Sequence, residues 1–208
     1  MFPDYIWEIS TDENVLYLTF DDGPTPEISN WVLDNLKQYN AKATFFCIGA
    51  NVEKHPDIFN QILEGGHTIG NHTNNHIKGW KTKTKVYLEN VLLAEETISN
   101  QIHNSSFVNH QSSLIKLFRP PYGRIKPKQG KKLMELGYHI VMWDVLSFDW
   151  DQSVSNQKCL NHVISKSKNG SIVVFHDSVK ASNNMTFALP KVLEYYAKKG
   201  FSFKAIGD

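Results

Sequence analysis

Cysteine is nearly absent from this 208-residue sequence, which contains only Cys47 and Cys159. The two residues lie far apart in the sequence and form neither a CxxC motif nor a disulfide framework. We therefore expect both to be buried as small apolar side chains.

The sequence also lacks an excess of charge and a long apolar run. Its 22 basic and 21 acidic residues give a formal net charge of +1, which offers no global electrostatic reason to expect nucleic acid or an anionic membrane as a partner. No apolar stretch is long enough to span a bilayer. A length of 208 residues, of which 41% are hydrophobic, fits one domain, residues 1–208, and we expect a monomer.

The N-terminal segment MFPDYIWEISTDEN has no basic start and no long apolar stretch, so nothing in it is typical of a signal peptide. If Met1 is the natural start, we expect a cytoplasmic protein. If the natural chain begins further upstream, we expect an extracellular or periplasmic location instead.

Apolar runs of strand length alternate along the chain with segments of helical period. The predicted strands are Val15–Phe20, Ala43–Ile48, His67–Gly70, Ile115–Phe118, His139–Trp143, Ser171–Phe175 and Phe201–Ala205. The predicted helices are Pro26–Gln38, Pro56–Glu64, a longer helix marked by Leu88 to Ile102, Lys128–Leu136, Ser153–Lys168 and Leu189–Tyr196. About seven β/α alternations favour a parallel sheet, either as a barrel or as an open doubly wound sheet.

Two polar segments interrupt this alternation. HNSSFVNHQSS, residues 103–113, is predicted to be a surface insertion. The Lys-rich segment KGWKTKTK, which starts at Lys78, is predicted to be a solvated loop.

Chemically active side chains follow the predicted strands at their carboxyl ends. In β/α folds the loops after parallel strands line one face, so residues at different strand ends can meet there. These residues are Asp21 and Asp22, His72 and His76, Arg119 and Tyr122, Asp149 and Trp150, and His176. Five separate strand ends therefore converge on one candidate site.

The segment VLYLTFDDGPTP places the adjacent carboxylates of Asp21 and Asp22 directly after the first predicted strand. Their mutual repulsion falls if a cation or a basic side chain takes up one of them. His72 and His76 lie four residues apart, a spacing that directs both imidazoles the same way if they share one helical turn. Together with Asp22 they would form a two-His, one-Asp set with open positions for water and substrate. Asp21 would remain free to act as a base.

The segments TFDDGP, HTNNH, RPPYG, the later DW and VFH, in this order, resemble the five motifs of the NodB-homology polysaccharide deacetylases, carbohydrate esterase family 4. The resemblance runs from about residue 15 to residue 208. It implies a distorted (β/α)7 barrel that removes acetyl groups from N-acetylated or O-acetylated sugars with the help of a metal ion.

Carried over by position, the resemblance makes Asp22, His72 and His76 the metal ligands and Asp21 the catalytic base, which Arg119 would hold in place. The chemistry of amide cleavage supports these roles, because an amide carbonyl needs a Lewis acid to polarise it and a base to activate water. Zinc is the default expectation, although cobalt, nickel, iron or manganese also suit this ligand set.

The resemblance also assigns roles around the substrate. The backbone N–H of Tyr122 would bind the oxyanion, Trp150 would form a wall of the groove, and His176, tuned by Asp149, would be the general acid.

Val174 stands where the family usually has leucine and would slightly widen the pocket for the acetyl methyl group. Leu146 stands where the family often has an acid, which we expect to alter a groove wall and leave the proton transfers intact. Trp80, Tyr122 and Trp150 could stack on sugar faces, although such aromatics are more often part of the core.

We expect N-acetylglucosamine-containing polymers or oligomers as substrates, such as chitin oligomers, peptidoglycan or an exopolysaccharide. N-deacetylation is favoured because the acid His176 is more necessary for an amine than for an alkoxide leaving group. The alternatives are an O-acetyl esterase acting on acetylated xylan, a non-catalytic carbohydrate-binding barrel, and a barrel amidohydrolase acting on a small cyclic amide.

Overall fold

Eight short strands occur in the computed structural model, which describes residues 4–105 and 116–207. They are β1 (Val15–Asp21), β2 (Thr44–Cys47), β3 (Thr68–Asn71), β4 (Leu117–Phe118), β5 (His139–Ile140), β6 (Val145–Leu146), β7 (Ile172–His176) and β8 (Ser202–Phe203). Every ladder between these strands is parallel, as the β/α alternation predicts.

Seven strands form a curled half-barrel in the order β5-β4-β3-β2-β1-β7-β6, and β8 pairs with β1. The order runs in one direction from β1 to β5, with β7 and then β6 on the other side of β1. This is the order of a barrel that is open between β5 and β6. The structure therefore favours the predicted distorted barrel over the open doubly wound sheet.

Seven α-helices cover this sheet within the described residues. They are α1 (Ile28–Gln38), α2 (Gly49–Lys54), α3 (Pro56–Glu64), α4 (Thr84–Asn104), α5 (Pro127–Glu135), α6 (Asn156–Lys166) and α7 (Ser182–Lys198). Two 3₁₀ turns, Gly79–Lys81 and Pro121–Gly123, precede α4 and α5. None of the helices in residues 4–105 and 116–207 combines the length and the apolar character that a membrane crossing requires.

Strand β6 was not predicted, and it lies between the predicted strand His139–Trp143 and Asp149. Two helices also differ from the prediction because tertiary contacts decide where they begin. α2 was not predicted, and its first N–H groups, from Gly49 and Ala50, are satisfied by carbonyls of the loop after β3. α7 begins at residue 182, before the predicted start at Leu189. In this additional part, the buried side chain of Asn184 donates to carbonyl groups of residues 149 and 154, contacts that periodicity does not reveal.

The core forms around β1, all of whose residues are buried. Phe20 stacks on Phe45 and Phe175, with ring centroids 5.0 Å and 6.1 Å away, which joins β1 to β2 and β7. Burial on both faces is the usual condition of a parallel strand between layers of helices. Cys47 and Cys159 are both free and buried, as predicted.

The polar segment 103–113 lies largely outside the described residues. His103 and Asn104 form the last turn of α4, so the helix continues into the predicted insertion. The remaining prediction for residues 106–113 and the predicted strand start at residue 115 concern positions that the structure does not describe.

Replacing His67 by glutamine is expected to reduce the acid sensitivity of folding. Burial, together with nearby Lys42, lowers the pKa of His67 to about 4. Because the unfolded chain binds this proton near the ordinary pKa of 6.5, stability falls as the pH drops from about 6.5 to about 4 and levels off below. The loss of folding stability that His67 causes over this pH range amounts to at most about 3 kcal/mol. It should be absent in His67→Gln.

Urea unfolding of the wild type and His67→Gln between pH 7 and pH 4 would measure this effect as a pH-dependent difference in stability. The exposed His139 provides the matched control His139→Gln, which should keep the wild-type slope. A constant stability difference between His67→Gln and the wild type at all pH values would contradict the prediction.

Candidate active site

The carboxyl ends of the central strands bring the predicted site residues to one edge of the sheet. Asp21 ends β1 and His176 ends β7, and the register of these strands pairs the two residues directly. His72 follows β3 and Arg119 follows β4, two strands that are also paired. The convergence expected from the strand ends is therefore present.

A cavity of about 640 Å³ opens at this edge. Seven predicted site residues line it, namely Asp21, Asp22, His72, His76, Tyr122, Trp150 and His176. They come from the ends of five strands and include acids, imidazoles and aromatic rings. Sites that bind and transform small groups commonly combine concavity with a few convergent polar groups in this way.

Asp22, His72 and His76 form one cluster whose ligand atoms all lie within 4.8 Å of one another. The carboxylate Oδ1 of Asp22 lies 3.7 Å from Nε2 of His72 and 3.3 Å from Nε2 of His76. Atoms that bind one zinc ion tetrahedrally at about 2.1 Å lie about 3.4 Å apart. The three donors therefore have a spacing that fits a single divalent cation.

The Oδ1 atom of Asp22 supports the same fit. This atom is buried and has no hydrogen-bond partner among the described residues. A buried carboxylate oxygen that accepts no hydrogen bond is costly unless another positive or polar group approaches it. A cation between Asp22 and the two imidazoles would satisfy it.

Both imidazoles can offer Nε2 as a ligand atom. Nδ1 of His72 lies 2.7 Å from the carbonyl oxygen of Arg119, and because that oxygen can only accept, Nδ1 donates its proton there and Nε2 is the ring nitrogen left to bind a metal ion. Burial, and then nearby His72, lowers the pKa of His76 to about 4, although Asp22 opposes this. His76 is therefore neutral at neutral pH.

The histidine pair does not lie on a helix. His72 and His76 belong to the loop after β3, in which Thr73 and His76 have φ values of 66° and 51°. The side chain of Asn90 on α4 accepts the N–H groups of residues 74 and 75 and so holds this loop. The ring centroids lie 5.1 Å apart, so the predicted convergence is present while the predicted helical turn is wrong.

Asp21 forms a buried ion pair with Arg119. Nη1 of Arg119 donates to Oδ1 of Asp21 at 2.7 Å, and the same group donates to the hydroxyl of Thr19 at 2.7 Å. Burial raises the pKa of Asp21, but the guanidinium of Arg119 and the nearby imidazoles outweigh it and hold that pKa below its ordinary value. Asp21 is therefore a carboxylate at neutral pH, as a base must be.

His176 is paired with the buried Asp149. Nδ1 of His176 lies 2.8 Å from Oδ1 of Asp149, and the backbone N–H of His176 donates to Oδ2 at 2.7 Å. Burial lowers the pKa of His176, but the carboxylate of Asp149 outweighs it and raises that pKa to about 9. His176 is therefore protonated at neutral pH, and its ring lines the cavity.

Of the predicted substrate-binding residues, Tyr122 and Trp150 line the cavity and Val174 does not. Tyr122 has a left-handed conformation with φ 61°, and its ring lies 4.6 Å from that of His76 between centroids. Trp150 lines the cavity, with the ammonium group of Lys180 over its ring at 5.2 Å. Leu146 forms part of the wall as expected. Val174 is buried within β7 and does not line the cavity, so the structure does not bring it to the site.

Several residues at the site were not singled out by the motifs. Trp143 and Lys180 also line the cavity. Asp177 accepts hydrogen bonds from the Gly23 N–H at 2.9 Å and from the hydroxyl of Ser29 at 2.5 Å, which ties the loop after Asp22 to the end of β7. The adjacency of Asp177 to His176 in the segment FHD indicates that Asp177 lies near the site, but it does not indicate this contact.

Comparison with known proteins gives a consistent assignment. A family model described as polysaccharide deacetylase matches residues 8–141. The chain is 35% identical to a peptidoglycan-N-acetylglucosamine deacetylase of Bacillus cereus, over 97% of this chain and 91% of that protein. It is 34% identical to chitin deacetylase 2 of Saccharomyces cerevisiae, over 84% of this chain and 54% of that protein.

Solved structures show the same likeness. A crystal structure of a peptidoglycan N-acetylglucosamine deacetylase in complex with 4-naphthalen-1-yl-N-oxidanyl-benzamide has a TM-score of 0.87 and 33% identity, covering 98% of this chain and 91% of that chain. A family 4 carbohydrate esterase from Streptomyces lividans in complex with acetate has a TM-score of 0.78 and 25% identity, covering 91% of each chain.

The chain therefore belongs to the polysaccharide deacetylase family, a family of hydrolases. The resemblance inferred from the five motifs and the distorted (β/α)7 barrel that it implied are both confirmed.

Proposed function

We propose that this protein is a metal-dependent hydrolase that removes N-acetyl groups from glycans containing N-acetylglucosamine. The observation that carries the proposal is the unpartnered Oδ1 of Asp22 facing two imidazole nitrogens, beside a second carboxylate that is held by Arg119. This arrangement separates a cation-binding acid from an acid that is free to move a proton.

The adjacent acids, Asp21 and Asp22, would have different roles. A divalent cation bound by Asp22, His72 and His76 would supply a Lewis acid that polarises the acetyl carbonyl and makes a water molecule more acidic. Asp21, ionised and oriented by Arg119, would take the proton of the attacking water.

The remaining residues would manage the developing charges. The backbone N–H of Tyr122, on the cavity wall, would donate to the oxyanion that forms when water adds to the carbonyl. His176 would give its proton to the nitrogen as the carbon–nitrogen bond breaks, which yields acetate and a free amine. Asp149 would stabilise the imidazolium form of His176 until that step.

Glycan deacetylation is also the activity named for similar proteins. One relative is named as a deacetylase of N-acetylglucosamine in peptidoglycan, and another is named as a deacetylase of chitin. We infer the same class of substrate for this chain, on a glycan outside the cytoplasm if peptidoglycan is the polymer. An O-acetyl esterase is the nearest alternative, because the Streptomyces lividans structure is named a carbohydrate esterase.

Metal removal is expected to lower acetate release from N-acetylglucosamine oligomers by at least about 100-fold, because the loss of a Lewis acid removes several kcal/mol of transition-state stabilisation. Acetate would be measured before and after chelation and after return of Zn²⁺, Co²⁺, Ni²⁺, Fe²⁺ or Mn²⁺. Elemental analysis should find about one ion per chain in the wild type and much less in His76→Gln.

The matched control is His139→Gln, at an exposed histidine of β5, which should keep both the ion and the activity. Acetate release that is unaffected by chelation would contradict metal dependence. Binding of glycans without acetate release in every metal-loaded sample would favour a carbohydrate-binding barrel. Hydrolysis of small cyclic amides alone would favour the amidohydrolase alternative.

A further inference from the structure

A second cavity of about 350 Å³ lies beside the candidate active site. Its lining includes the aromatic side chains of Trp7 and Trp80 and the guanidinium-bearing Arg124. Gly123 lines both cavities, so the two are adjacent. None of the roles proposed for deacetylation uses this space.

A row of contacting side chains leads from the cluster of Asp22, His72 and His76 to the second cavity. The ring centroid of Tyr122 lies 4.6 Å from that of His76, and the centroid of Trp80 lies 5.4 Å from that of Tyr122. The guanidinium carbon of Arg124 then lies 4.8 Å from the Trp80 ring centroid. Trp80 is therefore at most about 10 Å from His76 between ring centroids, a distance that a short run of linked sugar units can span.

Two strongly basic segments contribute residues to this cavity, Trp80 from the first and Arg124 and Ile125 from the second. KGWKTKTK, residues 78–85, and RIKPKQGKK, residues 124–132, contain nine of the chain's 22 basic residues and no acidic residue. The two segments are in contact, because the ammonium group of Lys126 donates to the carbonyl of Thr82 at 2.7 Å and Gln129 donates to the carbonyl of Gly79 at 3.0 Å. The near-neutral total charge conceals this local excess.

Most of these cations have no ion-pair partner among the described residues. In the part of the chain that the structure describes, the ion pair recorded for the two segments is Lys85 with Glu89. Arg124 is exposed and contacts the face of Trp80, and Lys78 lies over the Tyr122 ring at 5.3 Å. Aromatic rings beside the exposed cation of Arg124 suit a ligand that has an apolar face and a negative charge.

We propose, on the basis of the deacetylase function above, that the second cavity is a subsite for another unit of the same glycan strand. The subsite stacks the apolar face of that sugar on Trp80 and pairs an acidic substituent of the sugar with Arg124. The substrate class is then a glycan whose sugars carry carboxylates, in contrast to a neutral N-acetylglucosamine polymer.

Steady-state kinetics on three substrates test this subsite, namely an N-acetylglucosamine disaccharide, a neutral tetrasaccharide and a tetrasaccharide with carboxylate-bearing alternate sugars. Trp80→Ala should raise KM for both tetrasaccharides about 3- to 10-fold, with kcat and the disaccharide KM unchanged. Arg124→Gln should raise KM about 2- to 5-fold for the carboxylate-bearing tetrasaccharide alone. High salt should reduce that difference.

Lys166→Gln, at an exposed lysine on α6, is the matched control and should leave all three KM values unchanged. The subsite proposal is overturned if both cavity variants keep the wild-type KM on tetrasaccharides, or if the disaccharide KM shifts equally. Acetate release from none of the glycans would contradict the deacetylase function instead. Calorimetric binding of the carboxylate-bearing tetrasaccharide to Asp21→Asn, with and without Trp80→Ala, then still tests the subsite.

Discussion

Replacing Arg119 by methionine is expected to lower the free energy of unfolding by about 3–5 kcal/mol. Arg119 is fully buried, and its guanidinium also donates to the carbonyls of Val141 at 3.2 Å and Met142 at 2.9 Å. Removing it leaves the carboxylate of Asp21 buried without its cation and leaves these carbonyls without a donor. Equilibrium unfolding in urea, followed by circular dichroism, measures the loss.

The chain offers a matched control for this substitution, because its other arginine, Arg124, is exposed. Arg124→Met should change stability by no more than about 0.5 kcal/mol. Adding Asp21→Asn to Arg119→Met removes the unpaired charge, so the double variant should be less destabilised than the sum of the two single variants. A wild-type urea midpoint for Arg119→Met, or strict additivity in the double variant, would contradict the buried ion pair as a source of stability.

The sequence predicts which site residues lie close together, because the fold brings the carboxyl ends of the parallel strands to one edge of the sheet. When parallel strands end at one edge, an acid after β1, a histidine after β3 and an arginine after β4 must approach one another whatever the exact helix boundaries are. The errors at α2 and α7 therefore did not disturb the site. Both errors lie where tertiary hydrogen bonds, such as those of Asn184, decide the start of a helix.

The local geometry of the site could not be predicted in the same way. The spacing of His72 and His76 suggested a helical turn, whereas left-handed backbone at His76 and anchoring by Asn90 produce the same convergence in a loop. The contact of Asp177 with the loop after Asp22 joins residues 154 positions apart in the chain. No periodic pattern in one sequence encodes such a contact, so it becomes visible only when the strands are assembled.

The same limit applies to the second cavity. The segment KGWKTKTK predicts a solvated loop. Its lysines are exposed, but Gly79–Lys81 forms a 3₁₀ turn and α4 begins at Thr84. What the sequence does not show is that the segment lies against a second basic stretch some 40 residues later, joined by Lys126 and Gln129. A charge run becomes a candidate binding surface when a second run and aromatic rings are found beside it.

Replacing His176 by glutamine is expected to lower acetate release from N-acetylglucosamine oligomers by about 10²- to 10⁴-fold, the usual contribution of a general acid. An amine cannot leave as an anion, so its nitrogen must be protonated as the bond breaks. The rate of acetate release from an O-acetyl ester should fall by no more than about 10-fold, because an alkoxide leaving group needs that proton less than an amine does. Initial rates on an amide and an ester substrate of the same sugar measure the two effects.

Asp21→Asn is the comparison for this variant, because it removes the base that both reactions require and should lower the amide and ester rates together. Both variants retain Asp22, His72 and His76, so metal content by elemental analysis should equal that of the wild type. Asp149→Asn should resemble His176→Gln in its preference for the ester, since it removes the carboxylate that keeps His176 protonated. Equal losses on amide and ester in His176→Gln would contradict the role of general acid, and rates that are unchanged would exclude His176 from the chemistry altogether.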